Sequence, residues 1–459
     1  MNTINQTNTR IYKRALLLAV PMMIQNGITN AVVLVDNLMV GSLGTESMTA
    51  VAIVGQLFFV FNLAVFGGLS GPGIYGAQYY GRGDTEGVRN IFRLKWWIGL
   101  FCVIAGTLVF VFGGNALISL YLRGEGNGID AGLTLALGRG YMLIMLAGLL
   151  PFGITQVYSS SLRETGESVK PMIAGISAVV TDVVFNYLLI FGKLGLPRLG
   201  VKGAAVATVL SRFVEMAVIV VLAHKNTAEH KFLQHVYHTM RVPVAVLKPS
   251  LQKGFPIFLN EFMWSGGIAV LTQCYSIRGL NVVAGLNISN AICNMLNVVF
   301  VALGNAVGIV IGQMLGARQF EEAKKSSVRL MWFSGAVSAV VAVLLFALSG
   351  VFPLAYDTTA QVRQYGQYFI MITAAFFPLQ AFLNALYFTL RSGGRTVITF
   401  MFDSCYTWVV SVSAAYILCT YTNVPILGIY TIVQSLDFIK VIVGYGLIKK
   451  GVWITSLVE

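Results

Sequence analysis

The apolar residues of this chain gather in long blocks, near 12–40, 47–79, 92–114, 133–160, 169–192, 201–223, 250–276, 282–314, 327–349, 363–390, 396–420 and 425–448. Crossing the hydrocarbon core of a bilayer takes roughly 20 mostly apolar residues in a helix. Each block is that long, so the pattern predicts twelve spanning helices joined by polar turns. The fold class this implies is an all-α polytopic membrane protein. The first block is too long for a cleavable signal peptide and lacks a clear small-residue cleavage site.

Shifted by 235 residues, the chain meets itself without a gap. Pro21 falls on Pro256, Gly44 on Gly279, Asn62 on Asn297, Gln78 on Gln313 and Gly81 on Gly316. Further on, "YMLIMLAGLLPFG" at 141 echoes "YFIMITAAFFPLQ" at 368, and "LRETGE" at 162 echoes "LRSGGR" at 390. Six helices return a chain to its starting side, so the two copies share one orientation. The predicted organisation is a first lobe over 1–223, a linker over 224–249 and a second lobe over 250–459, two pseudo-symmetric six-helix bundles. In transporters with parallel repeats of this kind, substrate passes at the repeat interface and the halves rock for alternating access.

Composition agrees with the pattern: 56% of the 459 residues are hydrophobic and 11% are charged. The net charge of +13 would suggest nucleic acid on a soluble protein. Here the basic residues concentrate on alternate turns, among them Arg82, Arg89, Arg163, Lys170, Arg318, Arg391, Lys449 and Lys450. Outer turns hold fewer, such as Arg123, Lys193 and Arg278. The positive-inside rule then places both termini and the linker in the cytoplasm of a cell-membrane protein, with lipid rather than nucleic acid as its surroundings. The five cysteines lie in apolar blocks without paired spacing and read as core thiols. All four histidines, His224, His230, His235 and His238, fall in the linker. His235 and His238 have an i, i+3 spacing that could hold a metal, but no fixed carboxylate or cysteine accompanies them, so the segment reads as a solvated linker.

Polar groups inside the spans are the candidate chemistry. Asp36 lies in the run from Ala15 to Val40, otherwise uncharged, where a carboxylate costs ~2.5–3.5 kcal/mol on insertion scales. Asp182 and Asn186 share one face of the fifth helix. By residue count from the outer ends, Asp36, Asn186 and Thr208 sit at similar depth. Together these four make an oxygen-lined site for Na⁺, a proton carrier, or a set of hydrogen-bonded interhelical anchors. In the second half, Asn287, Asn290, Asn294 and Asn297 form a polar stripe on helix 8, and Glu261 and Asp403 add two intramembrane acids. These read as the wall of a substrate cavity, or as interhelical amide bonding.

The segment "VPMMIQNGITNAVVLVDNLMVGSLGTESMTAVAI" resembles the first-helix signature of the multidrug and toxic compound extrusion (MATE) transporters, with a proline, an acid fifteen residues later and a small-residue turn. "FNYLLIFGKLGLPRLGVKGAAVATVLS" is similar to the family's helix 5–6 segment. The resemblance spans the chain. It implies a monomeric antiporter with no cofactor beyond a coupling H⁺ or Na⁺, exporting organic cations or amphipathic drugs. It implies a cation site in the first lobe, carried here by Asp36, Asp182, Asn186 and Thr208. The acid precedes the amide on helix 5, the reverse of archaeal members. The second-lobe acids known in some members lie on helices 7 and 10. Here helix 10 has none, and Glu261 sits about a turn earlier than usual.

Two other classes fit less well. A lipid-linked precursor flippase of the wider superfamily would carry extra helices and cavity arginines, whereas Arg212 is the one clearly intramembrane arginine in the pattern. An intramembrane aspartyl protease would need "GRGD" at 81–84 and "YD" at 356–357 in one site, but they fall in turns on opposite sides. The chain reads as a transporter and not as an enzyme.

Overall fold

The computed structural model describes residues 2–122, 130–225 and 229–458. Arg123, counted above among the outer charges, lies outside them. Twelve helical spans follow in order: α1 Asn2–Gly41, α2 Thr45–Arg82, α3 Thr85–Tyr121, α4 Ala131–Glu164, α5 Val169–Phe191, α6 Val201–Lys225, α7 Val244–Ser276, α8 Leu280–Gly316, α9 Phe320–Leu348, α10 Ala360–Ser392, α11 Thr396–Tyr421 and α12 Ile426–Lys450. Eleven of them, among the described residues, are long and apolar enough to span a bilayer. The other is α7, whose sequence carries Lys248, Lys253, Asn260 and Glu261. The fold is that of an all-α polytopic membrane protein.

Local chemistry sets the helix ends. Asp130 caps α4, accepting a hydrogen bond from the Leu133 amide at 3.0 Å, and Thr359 caps α10 through the Val362 amide at 3.3 Å. The turn before α2 passes through Gly44 at φ 115°, and the turn before α8 through Gly279 at φ 117°. L-residues with a side chain rarely adopt that conformation. These glycines are repeat mates, so the repeat extends to backbone geometry.

The chain forms two compact units. One comprises Ile24–Gly76 and Thr85–Ser250, the other Met1–Met23, Ala77–Asp84 and Leu251–Glu459. The units differ from the sequence halves, because the start of α1 and the end of α2 belong to the second. In that second unit, Ile11, Ala15, Leu18 and Met22 of α1 join a core made by α8 from Ala302 to Leu315, Leu330 and Met331 of α9, and Leu386 and Leu390 of α10.

In the first unit, Lys95 of α3 is fully buried and pairs with Glu164 of α4 at 2.5 Å, with Ser160 as a further acceptor at 3.1 Å. Lys95 falls near the inner end of the apolar block at 92–114, and the helix starts ten residues before it, at Thr85. Gly73 and Gly76 of α2 leave the space that the Glu164 carboxylate fills.

The connector also differs from expectation. His224 and Lys225 close the last turn of α6, and α7 begins at Val244. Rather than being solvated throughout, it buries His230, Phe232, Leu233 and Val236. Arg89, Arg93 and Trp97, one helical turn apart on α3, hold it by its carbonyls. Arg89 Nε donates to Phe232 O at 3.3 Å, Arg93 Nε to Val236 O at 2.9 Å and Trp97 Nε1 to Met240 O at 2.9 Å. His230 contacts the Lys170 ammonium, which pairs with Glu229 at 3.1 Å. All five cysteines are free thiols, three of them buried.

Two predictions follow from these contacts. Removing one partner of a buried ion pair leaves the other charge uncompensated, at a cost of about 3–5 kcal/mol. Lys95→Met should therefore lower the thermal unfolding midpoint in detergent sharply, and adding Glu164→Leu should recover most of the loss. Burial, with the Lys170 ammonium close by, holds His230 below its ordinary pKa of 6.5. The folded chain thus resists protonation that the unfolded chain accepts, and linker docking is full above pH 6.5 and weakens as pH falls below it. His230→Gln should flatten that part of the pH dependence, read from unfolding midpoints across the range.

Candidate functional site

Four of the sequence-derived positions meet in the first unit. The register of α5 puts Asp182 and Asn186 on its buried face, 7% and 1% exposed, while Asp36 on α1 is half-buried. The Asn186 side-chain amide donates to Asp36 Oδ1 at 2.8 Å and to Asp182 Oδ2 at 3.1 Å. One neutral donor thus bridges two carboxylates. Thr208 and Ser211 of α6 stand beside Asp182, and Tyr141 of α4 reaches Thr208. Among the described residues, no hydrogen-bond donor reaches the buried Asp182 Oδ1 or Asn186 Oδ1. Two orphaned oxygens beside a carboxylate pair form an electron-rich pocket that suits a small cation or a proton.

Below this group the polar lane continues along α6. Arg212 pairs with Glu215 at 3.1 Å and lies 5.0 Å from the centre of the Phe152 ring. Glu215 is 5% exposed, and Arg163 of α4 stands near it while donating to Gln25 Oε1 of α1 at 2.8 Å. Arg212 is therefore not alone, since Arg163 is a second arginine within the spans, half-buried like Arg212. Sequence reasoning placed Arg163 in a turn and passed over Tyr141, Ser211 and Glu215. The spacing Thr208, Ser211, Glu215 on one face of α6 was the available signal.

In the second unit, the two acids join a cluster built by α7, α10, α11 and α12. Asn260 donates to Asp403 Oδ2 at 3.0 Å and to the Tyr387 hydroxyl at 3.3 Å, and accepts from Ser404 Oγ at 2.6 Å. Lys440 lies 3.8 Å from Asp403 Oδ1 and 3.6 Å from Asp437 Oδ1. Gln380 donates to Asp437 Oδ2 at 2.6 Å. Glu261 faces Arg391 and Asp403. The backbone is irregular here. Two π-helical stretches, Met401–Cys405 and Thr407–Val412, interrupt α11. The α-helical run of α12 is broken at Leu436, whose carbonyl accepts from Tyr406 at 2.6 Å. Such turns concentrate at functional sites.

The asparagine stripe is not drawn into this cluster. Asn287, Asn290 and Asn294 stand exposed along one face of α8, and Asn294 accepts from Asn297 at 3.5 Å. Among the described residues, no hydrogen bond joins Asn287 or Asn290 to Glu261 or Asp403. The sequence groups these residues by polarity, as the wall of one cavity or as interhelical amide bonding, and the asparagines share the exposed face that their spacing predicts. Asn260, Asp437 and Lys440 were passed over, although "SLDFIK" places an acid and a lysine at i, i+3 inside the last span.

This arrangement of spans and repeat is that of a multi-pass membrane transporter, and the chain belongs to the MATE family. The family model MatE matches residues 21–188 and again 256–417, two blocks whose starts lie one repeat apart. The probable multidrug resistance protein YoeA of Bacillus subtilis is 24% identical, covering 100% of this chain and 98% of its own. The probable multidrug resistance protein NorM of Thermotoga maritima is 23% identical over 91% of this chain and 88% of its own. Among solved structures, a MOP superfamily transporter from Pyrococcus furiosus superposes with a TM-score of 0.85 at 21% identity, covering 96% and 95% of the two chains. A mutant of the Vibrio cholerae MATE transporter VcmN superposes with a TM-score of 0.86 at 16% identity, covering 97% and 98%. At these identities the structures speak to the fold.

The bridging amide has a measurable role. In Asn186→Leu both carboxylates lose their shared donor, and a buried acceptor left unsatisfied costs about 1–3 kcal/mol. The unfolding midpoint should fall, whereas Asn186→Gln, which keeps the amide, should recover part of it.

Proposed function

We propose that the protein is a secondary active antiporter of the cell membrane that exports organic, often cationic, amphipathic compounds in exchange for H⁺ or Na⁺. The observation that carries this reading is the Asn186 amide spanning Asp36 and Asp182. Two carboxylates that share one amide donor and lie within hydrogen-bonding reach of each other in a medium of low dielectric call for a shared positive charge, either a proton or a bound cation. Thr208 and the orphaned oxygens of Asp182 and Asn186 supply the remaining ligands.

Coupling requires the ion to favour one access state over the other, so that its binding shifts the population that releases substrate. The relatives named as multidrug resistance proteins support drug-like substrates. The second-unit acids Glu261 and Asp403 and the exposed amides Asn287, Asn290 and Asn294 offer polar contacts for a substrate. The chain works as a monomer, with both termini and the connector in the cytoplasm.

Purified protein in liposomes, with each ion gradient imposed separately, tests the reading. Asp36→Asn keeps the shape of the side chain but can neither take up a proton nor bind a cation as a carboxylate does. Gradient-driven flux should vanish while substrate binding in detergent survives, and Asp182→Asn should behave similarly. Wild-type flux in Asp36→Asn under the same gradient would make the acid a structural anchor. Tags at both termini and in the connector should all report the cytoplasmic side.

A further inference from the structure

The segment after α12 folds back into the second unit. Trp453 and Val458 are 0% and 1% exposed. Arg395 Nε donates to Val452 O at 2.8 Å, and Trp453 Nε1 donates to Ile448 O at 3.3 Å. The backbone of Trp453 lies directly against Gly393, and the Leu457 side chain against Gly394, so a side chain at either glycine would collide with the segment.

Its main partner is the end of α2. Gln78 is fully buried and uses both ends of its amide. Nε2 donates to Ser392 O of α10 at 2.9 Å and to Thr455 O at 3.4 Å, while Oε1 accepts from the Leu457 amide at 2.7 Å. One side chain therefore ties the end of α2 to the end of α10 and to the returning segment.

The ends of α2 and α8 meet at the same place by a reciprocal contact. The Gln313 carbonyl lies where a side chain on Gly81 would stand, and the Gln78 carbonyl where one on Gly316 would stand. Arg14 of α1 donates to Gln313 Oε1 at 2.5 Å.

We propose that residues 451–458 are a strap that binds the ends of α2 and α10 and holds the α2–α8 contact shut, and that it must release before this end of the molecule opens. The strap has no part in the Asp36–Asp182 chemistry. The inference rests on the alternating-access reading only for what its release accomplishes, and on the proposed topology for placing that end in the cytoplasm.

The test uses a cysteine at Ser392, which is 4% exposed and whose carbonyl accepts from Gln78. The rate of modification by a polar thiol reagent is measured in detergent against the background of the native cysteines. The Ser392→Cys protein should react slowly. Ending the chain at Lys450 should raise the rate at least tenfold. Gln78→Met, which keeps the side-chain length but removes the amide, should do the same and should speed hydrogen exchange across 452–458. If the shortened chain does not fold, Trp453→Ala and Gln78→Met decide the matter. An unchanged rate in these folded variants overturns the proposal. Since the assay needs neither gradient nor substrate, the same acceleration should appear with Asp36→Asn in the background. Loss of the strap effect and loss of ion coupling are thereby told apart.

Discussion

Charge inside a bilayer is the constraint around which this molecule is arranged. An ionised side chain at mid-membrane costs ~2.5–3.5 kcal/mol on insertion scales, and more where no water or partner reaches it. The chain answers with pairs: Lys95 with Glu164, Arg212 with Glu215, and Lys440 between Asp403 and Asp437. The Asp36–Asn186–Asp182 group is built differently. Its bridging donor is neutral, so the negative charge of two carboxylates is gathered without being cancelled by that donor. A group left in that condition at the heart of a helix bundle is poised to take a positive charge from outside, and the proposed coupling follows from that electrostatic imbalance.

The scaffold is doubled but its chemistry is not. The repeat is visible in the paired turns at Gly44 and Gly279, in the two blocks matched by the family, and in the reciprocal approach of α2 and α8. Yet the position 235 residues beyond Asp36 is Leu271, a plain apolar residue. The second unit instead collects its charges on α11 and α12, where π-helical turns and a break in the helix turn extra polar groups inward. Lys440 there supplies a cation of the chain's own. Equivalent helices thus carry different electrostatic roles, a common outcome when function resides in sites grafted on a shared frame.

Much of this was legible in the sequence, for reasons that differ by residue. The spans were readable because a bilayer imposes a length that polar turns punctuate. The coupling group was readable because Asp182 and Asn186 are four residues apart on one helix, and because Asp36 is costly wherever it lies. The start of α3 was less legible, because hydropathy marks where apolar residues begin, near 92, whereas the helix begins at Thr85. The connector looked solvated because its partners, Arg89, Arg93 and Trp97, sit well over a hundred residues earlier. Asn287, Asn290 and Asn294 were readable as one face because their spacing repeats every three or four residues, and that face is exposed. Contacts across the chain need the fold, and α7 shows that composition can blur even a span when residues such as Lys248, Lys253, Asn260 and Glu261 fall within it.

The meeting of Gly81 with Gln313 and of Gly316 with Gln78 also bears on tolerance to change. The two contacts mirror each other across the repeat, so one helix crossing is guarded at two positions that vary independently. A side chain at either glycine strikes the backbone of the opposite helix, and keeping the other glycine does nothing to relieve it.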